Sequence, residues 1–274
     1  MAKWNDEGGF NMLQRKEAMK IYLTIEIAKL FPLQGHWTEE DYFNLPETNS
    51  LVELSNGRII FPHISDEILD EVNLNRTKLE EANRPTTEIA WLFPHQGEWT
   101  EANYFSLPDI NHLVELSNGR LIIPDMPGDD HQSAIANLFV ALYHFVRNKG
   151  LGKVLTSPLP VRLWEGYIRE PDIIYMSNPH RHRISKNYWS VPDMAVEVIS
   201  KSSRKTDRVE KFAEYAQAGI PEYWIVDPIK QIIEVFTLEQ EHYTLLEKCG
   251  IGEVAHSKVL DGFEIHVDSV MDKR

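Results

Sequence analysis

Two short stretches decide the fold, PDIIYM (Pro171 to Met176) and MAVEVI (Met194 to Ile199). Each is an apolar run of strand length, rich in β-branched residues and too short for an amphipathic helix. Each also carries a carboxylate where an apolar run should exclude one. Asp172 stands at the head of the first and Glu197 near the tail of the second. If the two strands are antiparallel neighbours, the head of one lies beside the tail of the other and both carboxylates point at one spot. An unpaired charge inside such a run is costly, so Glu197 demands a compensating partner. Two carboxylates converging at a sheet edge suit Mg²⁺, a hard cation that takes oxygen ligands and keeps waters for phosphate to replace. The plain alternative is an ion pair or a solvated strand edge. Asp193 shares a strand with Glu197 but stands four residues earlier, about 13 Å away at strand rise, too far to share a cation with it.

Outward from this pair, the periodicity alternates between helix and strand. His131 to Lys149 places Ile135, Leu138, Phe139, Leu142 and Phe145 on one helical face, and Gly150 stands at the exit. KVLTSPLPVRLW (Lys153 to Trp164) reads as a strand pair or one bent strand interrupted by prolines, and a basic, exposed loop separates PDIIYM from MAVEVI. Thr206 to Ala218 is helical and stops at Gly219-Ile220-Pro221; Glu222 to Val226 and Ile232 to Phe236 are strands around a turn at Asp227-Pro228. The class is α/β with a mixed sheet.

Before this half lies an internal repeat. LFPLQGHWTEEDYFNLPETNSLVELSNGRIIFP (Leu30 to Pro62) recurs as LFPHQGEWTEANYFSLPDINHLVELSNGRLIIP (Leu92 to Pro124), 62 positions on, with about two-thirds of the positions identical. Two copies are too few for a solenoid, so a duplicated segment is the better reading. In each, WTE opens a short helix ending near Leu-Pro, and an Asn-Gly turn closes a hairpin. Ser65 to Asn83 reads as a charged surface helix. Charge divides along the same line: residues 1–130 carry 10 Lys+Arg against 23 Asp+Glu, and residues 131–274 carry 18 against 19, within a total of −14. That balance opposes a protein coated by nucleic acid; Arg181 to Lys211 is the one locally basic stretch. A single cysteine, Cys249, excludes a disulfide framework and a thiolate cluster and makes a reducing, cytoplasmic compartment the expectation. No apolar run is long enough to span a membrane, and MAKWNDEGGFNM lacks a secretory apolar region.

The segments LVELSNGRLI, PLPVRLWEG, REPDIIYMS, VPDMAVEVIS, SSRKTDRVEKFAEYAQAGIPEYWIVDP and LDGFEI, spread from about Trp99 to Met271, resemble the Uma-type restriction endonuclease family of the PD-(D/E)XK nuclease superfamily. The resemblance implies a restriction-endonuclease-like core over 92–274, a mixed sheet flanked by helices, with 1–91 as an N-terminal helical and hairpin appendage. It implies a DNA endonuclease using Mg²⁺ or Mn²⁺, with Asp172 and Glu197 as metal ligands. The usual lysine two positions after the glutamate is absent, since Ile199 stands there. Family members supply one from the following helix, where Lys211 fits, on one face with Asp207 at i, i+4; Lys201, Lys205 and Arg208 compete. Glu115 matches a family glutamate and is the expected third metal ligand; its counterpart Glu53 has no catalytic half behind it. His131 either reaches the site or caps its helix, and Tyr215, Tyr223 and Trp224 read as packing residues. DNA is the implied partner, and homodimerisation is left open. Two other readings stand beside it: a nuclease fold without turnover that binds nucleic acid or protein, and a metal-free glycoside hydrolase using the two carboxylates as acid and base.

Overall fold

The computed structural model describes residues 24–45, 52–61, 87–107, 113–124 and 128–271. The stretch 65–83, expected as a surface helix, lies outside the described residues. The chain divides into two units, Met1–His112 with Leu116–Ile123, and Leu113–Glu115 with Pro124–Arg274.

In the first unit the two copies of the repeat have the same build. A 3₁₀ turn (Ile25–Leu30 or Thr87–Leu92) precedes a short helix, α1 (Glu39–Phe43) or α2 (Glu101–Phe105). Thr38 and Thr100 open these helices with capping boxes, each hydroxyl accepting from the backbone N–H three residues on and each threonine N–H donating back to Asp41 or Asn103. An Asn-Gly turn then joins β1 (Glu53–Ser55) to β2 (Arg58–Ile60), and a second joins β3 (Glu115–Ser117) to β4 (Arg120–Ile122). Both residues of each turn have positive φ, 48° and 71° in the first copy and 49° and 71° in the second, which is why asparagine and glycine occupy them. A glutamine side chain takes the place of a neighbouring strand: Gln34 donates to Ile59 O at 3.1 Å and accepts the Ile59 N–H at 3.1 Å, and Gln96 does the same with Leu121 at 2.8 and 2.9 Å. The repeat therefore begins earlier than Leu30. IEIAKL and TEIAWL form the same turn, a match masked in the sequence by the differences at Ile25/Thr87 and Lys29/Trp91.

The second unit begins with α3 (Asp129–Lys149), closed by Gly150 in the left-handed region at φ 63°. Strands β5 (Gly152–Thr156), β6 (Val161–Trp164) and β7 (Tyr167–Arg169) follow, so KVLTSPLPVRLW is neither one bent strand nor a pair but two strands that enter different sheets. Then come β8 (Ile173–Ser177), β9 (Trp189–Ser190) and β10 (Met194–Val198). A π-helical turn (Thr206–Glu210) runs into α4 (Lys211–Ala218), which leads to β11 (Glu222–Asp227), β12 (Ile232–Glu239), β13 (His242–Cys249), β14 (Val254–His256), β15 (Glu264–His266) and α5 (Val267–Val270).

Six strands form a mixed sheet in the order β13-β12-β11-β10-β8-β5. Within this sheet only the β10–β11 pair is parallel, joined by the crossover that contains α4. Side-chain alternation sorts the core into two faces. Ile173, Tyr175, Met194, Val196 and Val198 pack with Ala134, Ile135, Leu138, Leu142 and Val146 of α3. Ile174, Met176, Ala195 and Ile199 pack on the other face with Tyr215 and Ala216 of α4. Each Val, Leu, Ile or Met among them contributes about 1.5–3 kcal/mol on full burial. Among the described residues no helix is long and apolar enough to cross a membrane.

Candidate active site

Strands β8 and β10 are antiparallel neighbours with Met194 opposite Tyr175, Ala195 opposite Ile174 and Val196 opposite Ile173. One step further, the register sets Glu197 across from Asp172. Alternation puts both on the α4 side of the sheet, the side of Ile174, Ala195 and Ile199. Asp172 accepts the Val198 N–H at 2.7 Å, and His131 Nε2 of α3 lies 3.5 Å from the same Oδ2. His131 thus reaches the site rather than capping its helix, whose cap position is Gly128.

Glu197 is held from α4. Lys211 Nζ and Tyr215 OH donate to its Oε1 at 3.0 and 2.7 Å. The two donors stand four residues apart and so share a helix face. Lys211 also lies 3.0 Å from Glu115 Oε1 and 3.6 Å from Asp207 Oδ1. Asp207 belongs to the π-helical turn, a widened turn of a kind found often at functional sites, and its Oδ2 is buried with no hydrogen-bond partner. The rival cations are elsewhere: Arg204 pairs with Asp227, Arg208 with Glu234, and Lys201 and Lys205 are exposed.

Glu115 is buried, but not as an open ligand. Its Oε2 accepts from Arg169 Nη1 at 2.8 Å, and its Oε1 from the Glu170 N–H at 3.2 Å as well as facing Lys211. Arg169 in turn grips Glu214 through Nε and Nη2 at 2.6 and 2.9 Å, a bidentate pair. Glu53, the counterpart of Glu115 in the first copy, is exposed. Asp193, at the far end of β10, accepts from the Ser177 N–H at 2.7 Å and pairs with His180 at 2.5 Å, away from Glu197.

The charges are unevenly matched. Burial works to raise Glu115, but the adjacent Lys211 and Arg169 charges outweigh it and hold the group at about 2. Burial pushes Glu197 well above the ordinary glutamate value; Lys211 opposes this, and the nearby Asp207, Asp172 and Glu115 charges add to it. Burial raises Asp207 too, against the pull of Lys211. Lys211 is disfavoured as a cation by burial, yet Glu115, Glu197 and Asp207 keep it charged. For His131, burial is outweighed by its hydrogen bond and attraction to Asp172, which raise it. Glu115, Glu197 and Asp207 thus converge on Lys211, Glu115 and Glu214 on Arg169, and Asp172 lies beside His131.

The gathered carboxylate oxygens and the partnerless Asp207 Oδ2 fit a divalent cation. Among the described residues no three His, Cys, Asp or Glu side chains are already gathered as a metal cluster. Mg²⁺ seldom has one: it is commonly bound through one or two carboxylates, with waters and phosphate oxygens completing six. Glu115, the expected third ligand, has both of its oxygens engaged by Arg169, the Glu170 N–H and Lys211.

Arg169, Glu214 and Tyr215 escaped the sequence reading. For Tyr215 a signal existed in its i, i+4 spacing from Lys211; Arg169 and Glu214 meet across 45 positions and had none.

A mixed sheet flanked by helices, with this strand order, is a nuclease-like fold. A crystal structure from Anabaena variabilis, described as "a putative nuclease belonging to DUF820", has it too: the TM-score is 0.52 at 16% identity, covering 63% of this chain and 97% of that one. The Uma2 family model, described as "Putative restriction endonuclease", matches residues 99–268, and the chain belongs to that family. No curated protein matches the chain.

Proposed function

We propose that this protein is a divalent-cation-dependent DNA endonuclease that hydrolyses phosphodiester bonds at Asp172 and Glu197. The observation that carries the reading is the β8/β10 register, which sets these carboxylates opposite each other, with Lys211 Nζ 3.0 Å from Glu197. Asp172 and Glu197 would hold Mg²⁺ or Mn²⁺, which supplies Lewis-acid stabilisation of charge on the phosphate. The chain's own part is electrostatic. Lys211, kept protonated by Glu115 and anchored on a helix, offers a fixed positive charge to the scissile phosphate. Tyr215 fixes the orientation of Glu197 through its hydroxyl, and Arg169 fixes Glu115, so that the lysine is held by a buried chain of ion pairs. Glu115 is here a positioning residue.

The test is cleavage of supercoiled plasmid with Mg²⁺ or Mn²⁺, with chelator as control. Asp172→Ala and Glu197→Ala should each abolish cleavage with the fold intact. Lys211→Ala should lose about 10²-fold or more, in the range typical of removing one fixed donor at developing charge, whereas Lys201→Ala and Lys205→Ala should retain activity. Wild-type rates in either carboxylate variant would sink the assignment. Ile199, buried where a superfamily lysine would stand, favours a second reading, a fold that binds DNA without cutting it. That reading requires binding with no product under any divalent cation.

A further inference from the structure

The two copies of the repeat pack against each other within the first unit. Phe31 and Phe93 are counterparts, 62 positions apart, and their rings meet at 5.6 Å. Each also stacks on the tryptophan of its own copy, Phe31 on Trp37 at 5.8 Å and 8°, Phe93 on Trp99 at 6.0 Å and 12°. The 3₁₀ turns Ile25–Leu30 and Thr87–Leu92 lie together, with Ile27 and Ile89 fully buried and Ala28 and Ala90 nearly so. The Thr24 hydroxyl donates to Pro94 O at 2.8 Å and accepts from Trp99 Nε1 at 2.8 Å, tying the start of one copy to the body of the other. A residue that meets its own counterpart marks a twofold relation. A translational repeat would set Phe93 against some other residue and leave one face open.

An interface in which the same patch serves both sides is the isologous kind that closes homodimers. We propose that this seam is a self-association surface: the first copy fills it within the chain, and when that copy is displaced or spoiled the second accepts the same face of the repeat from another molecule. This assigns the first copy the task of holding the protein monomeric at that face. Covalent connection favours the internal pairing, because linking two modules makes their pairing intramolecular, with an effective concentration on the order of a millimolar. Pairing between molecules becomes competitive only near that concentration. The proposal does not rest on the nuclease reading, and its test needs no activity.

Two measurements decide it. In the full chain carrying Cys249→Ser, Phe31→Cys and Phe93→Cys, a short bismaleimide should join the two cysteines within one molecule when the protein is unfolded and refolded at about 1 µM, and between molecules in comparable amount when refolded near a millimolar. Cross-linked dimers at the low concentration, or none at the high one, would overturn the proposal. Separately, Ile27→Asp spoils the first copy and leaves the second uncovered, so sedimentation should show a concentration-dependent dimer. Ile27→Asp combined with Ile89→Asp should return the monomer. A monomeric single variant, or a double variant that still dimerises, would overturn it equally.

Discussion

Glu115 illustrates how far a side chain's surroundings can displace its chemistry. Its pKa falls from the ordinary 4.5 to about 2, which corresponds to about 3 kcal/mol of native-state stability. The folded-state value lies below the unfolded one, so this stability is present in full above 4.5 and is lost as the pH falls toward 2. In chelator-containing buffer, Glu115→Gln should therefore be the less stable protein at about pH 5, and its deficit against wild type should shrink to nothing near pH 2. Urea midpoints across that range check it, and a deficit independent of pH would show that packing, not charge, is what the glutamate supplies. At this scale Asp172 and Glu197 were legible because a carboxylate within an apolar run is an anomaly that calls for a cause. Tyr215 was not, since a tyrosine on a helix is usually a packing residue and only its hydroxyl's partner distinguishes the two.

Among elements, the hairpins were the most legible and the C-terminal strands the least. Asn-Gly fixes its turn by local chemistry alone, whereas β13 reads HYTLLEKC and buries only Tyr243 and Cys249, as an edge strand can. Its pairing with β12 also shifts register between Val235 and Phe236, which breaks any simple alternation. The helix at Thr206 to Ala218 was foreseen, but its π-helical first turn was not, because no residue pattern distinguishes five-residue from four-residue hydrogen bonding. The turn glycines give a prediction. A Cβ on Gly119 would stand 2.4 Å from Gly97 O, while one on Gly150, at similar positive φ, meets nothing within 4 Å. Gly150→Ala should cost about 1–2 kcal/mol, the conformational penalty alone, and Gly119→Ala clearly more, because backbone must move as well. Equal losses in thermal unfolding would mean that the close approach relaxes freely.

At the scale of the molecule, negative charge and a cation are linked. A ligand that binds only the native state at 100 times its Kd adds about 2.7 kcal/mol, so saturating Mg²⁺ or Mn²⁺ should raise the melting temperature of the wild type and leave Asp172→Ala and Glu197→Ala unmoved. A wild-type protein indifferent to both ions would remove the cation from the proposed reaction. The class of fold and the nuclease resemblance could be read from residues 99 onward, but the meeting of the two repeats could not, because nothing in a duplicated sequence says whether its copies pair, stack or ignore each other. Their pairing has a genetic consequence. In a symmetric homodimer every substitution appears on both sides of the interface at once. Here each copy has its own codons, and the two have diverged in sequence, with Leu33 corresponding to His95 and His36 to Glu98. Selection can therefore alter one half of the seam while holding the other constant, a freedom that a gene encoding a single copy does not have.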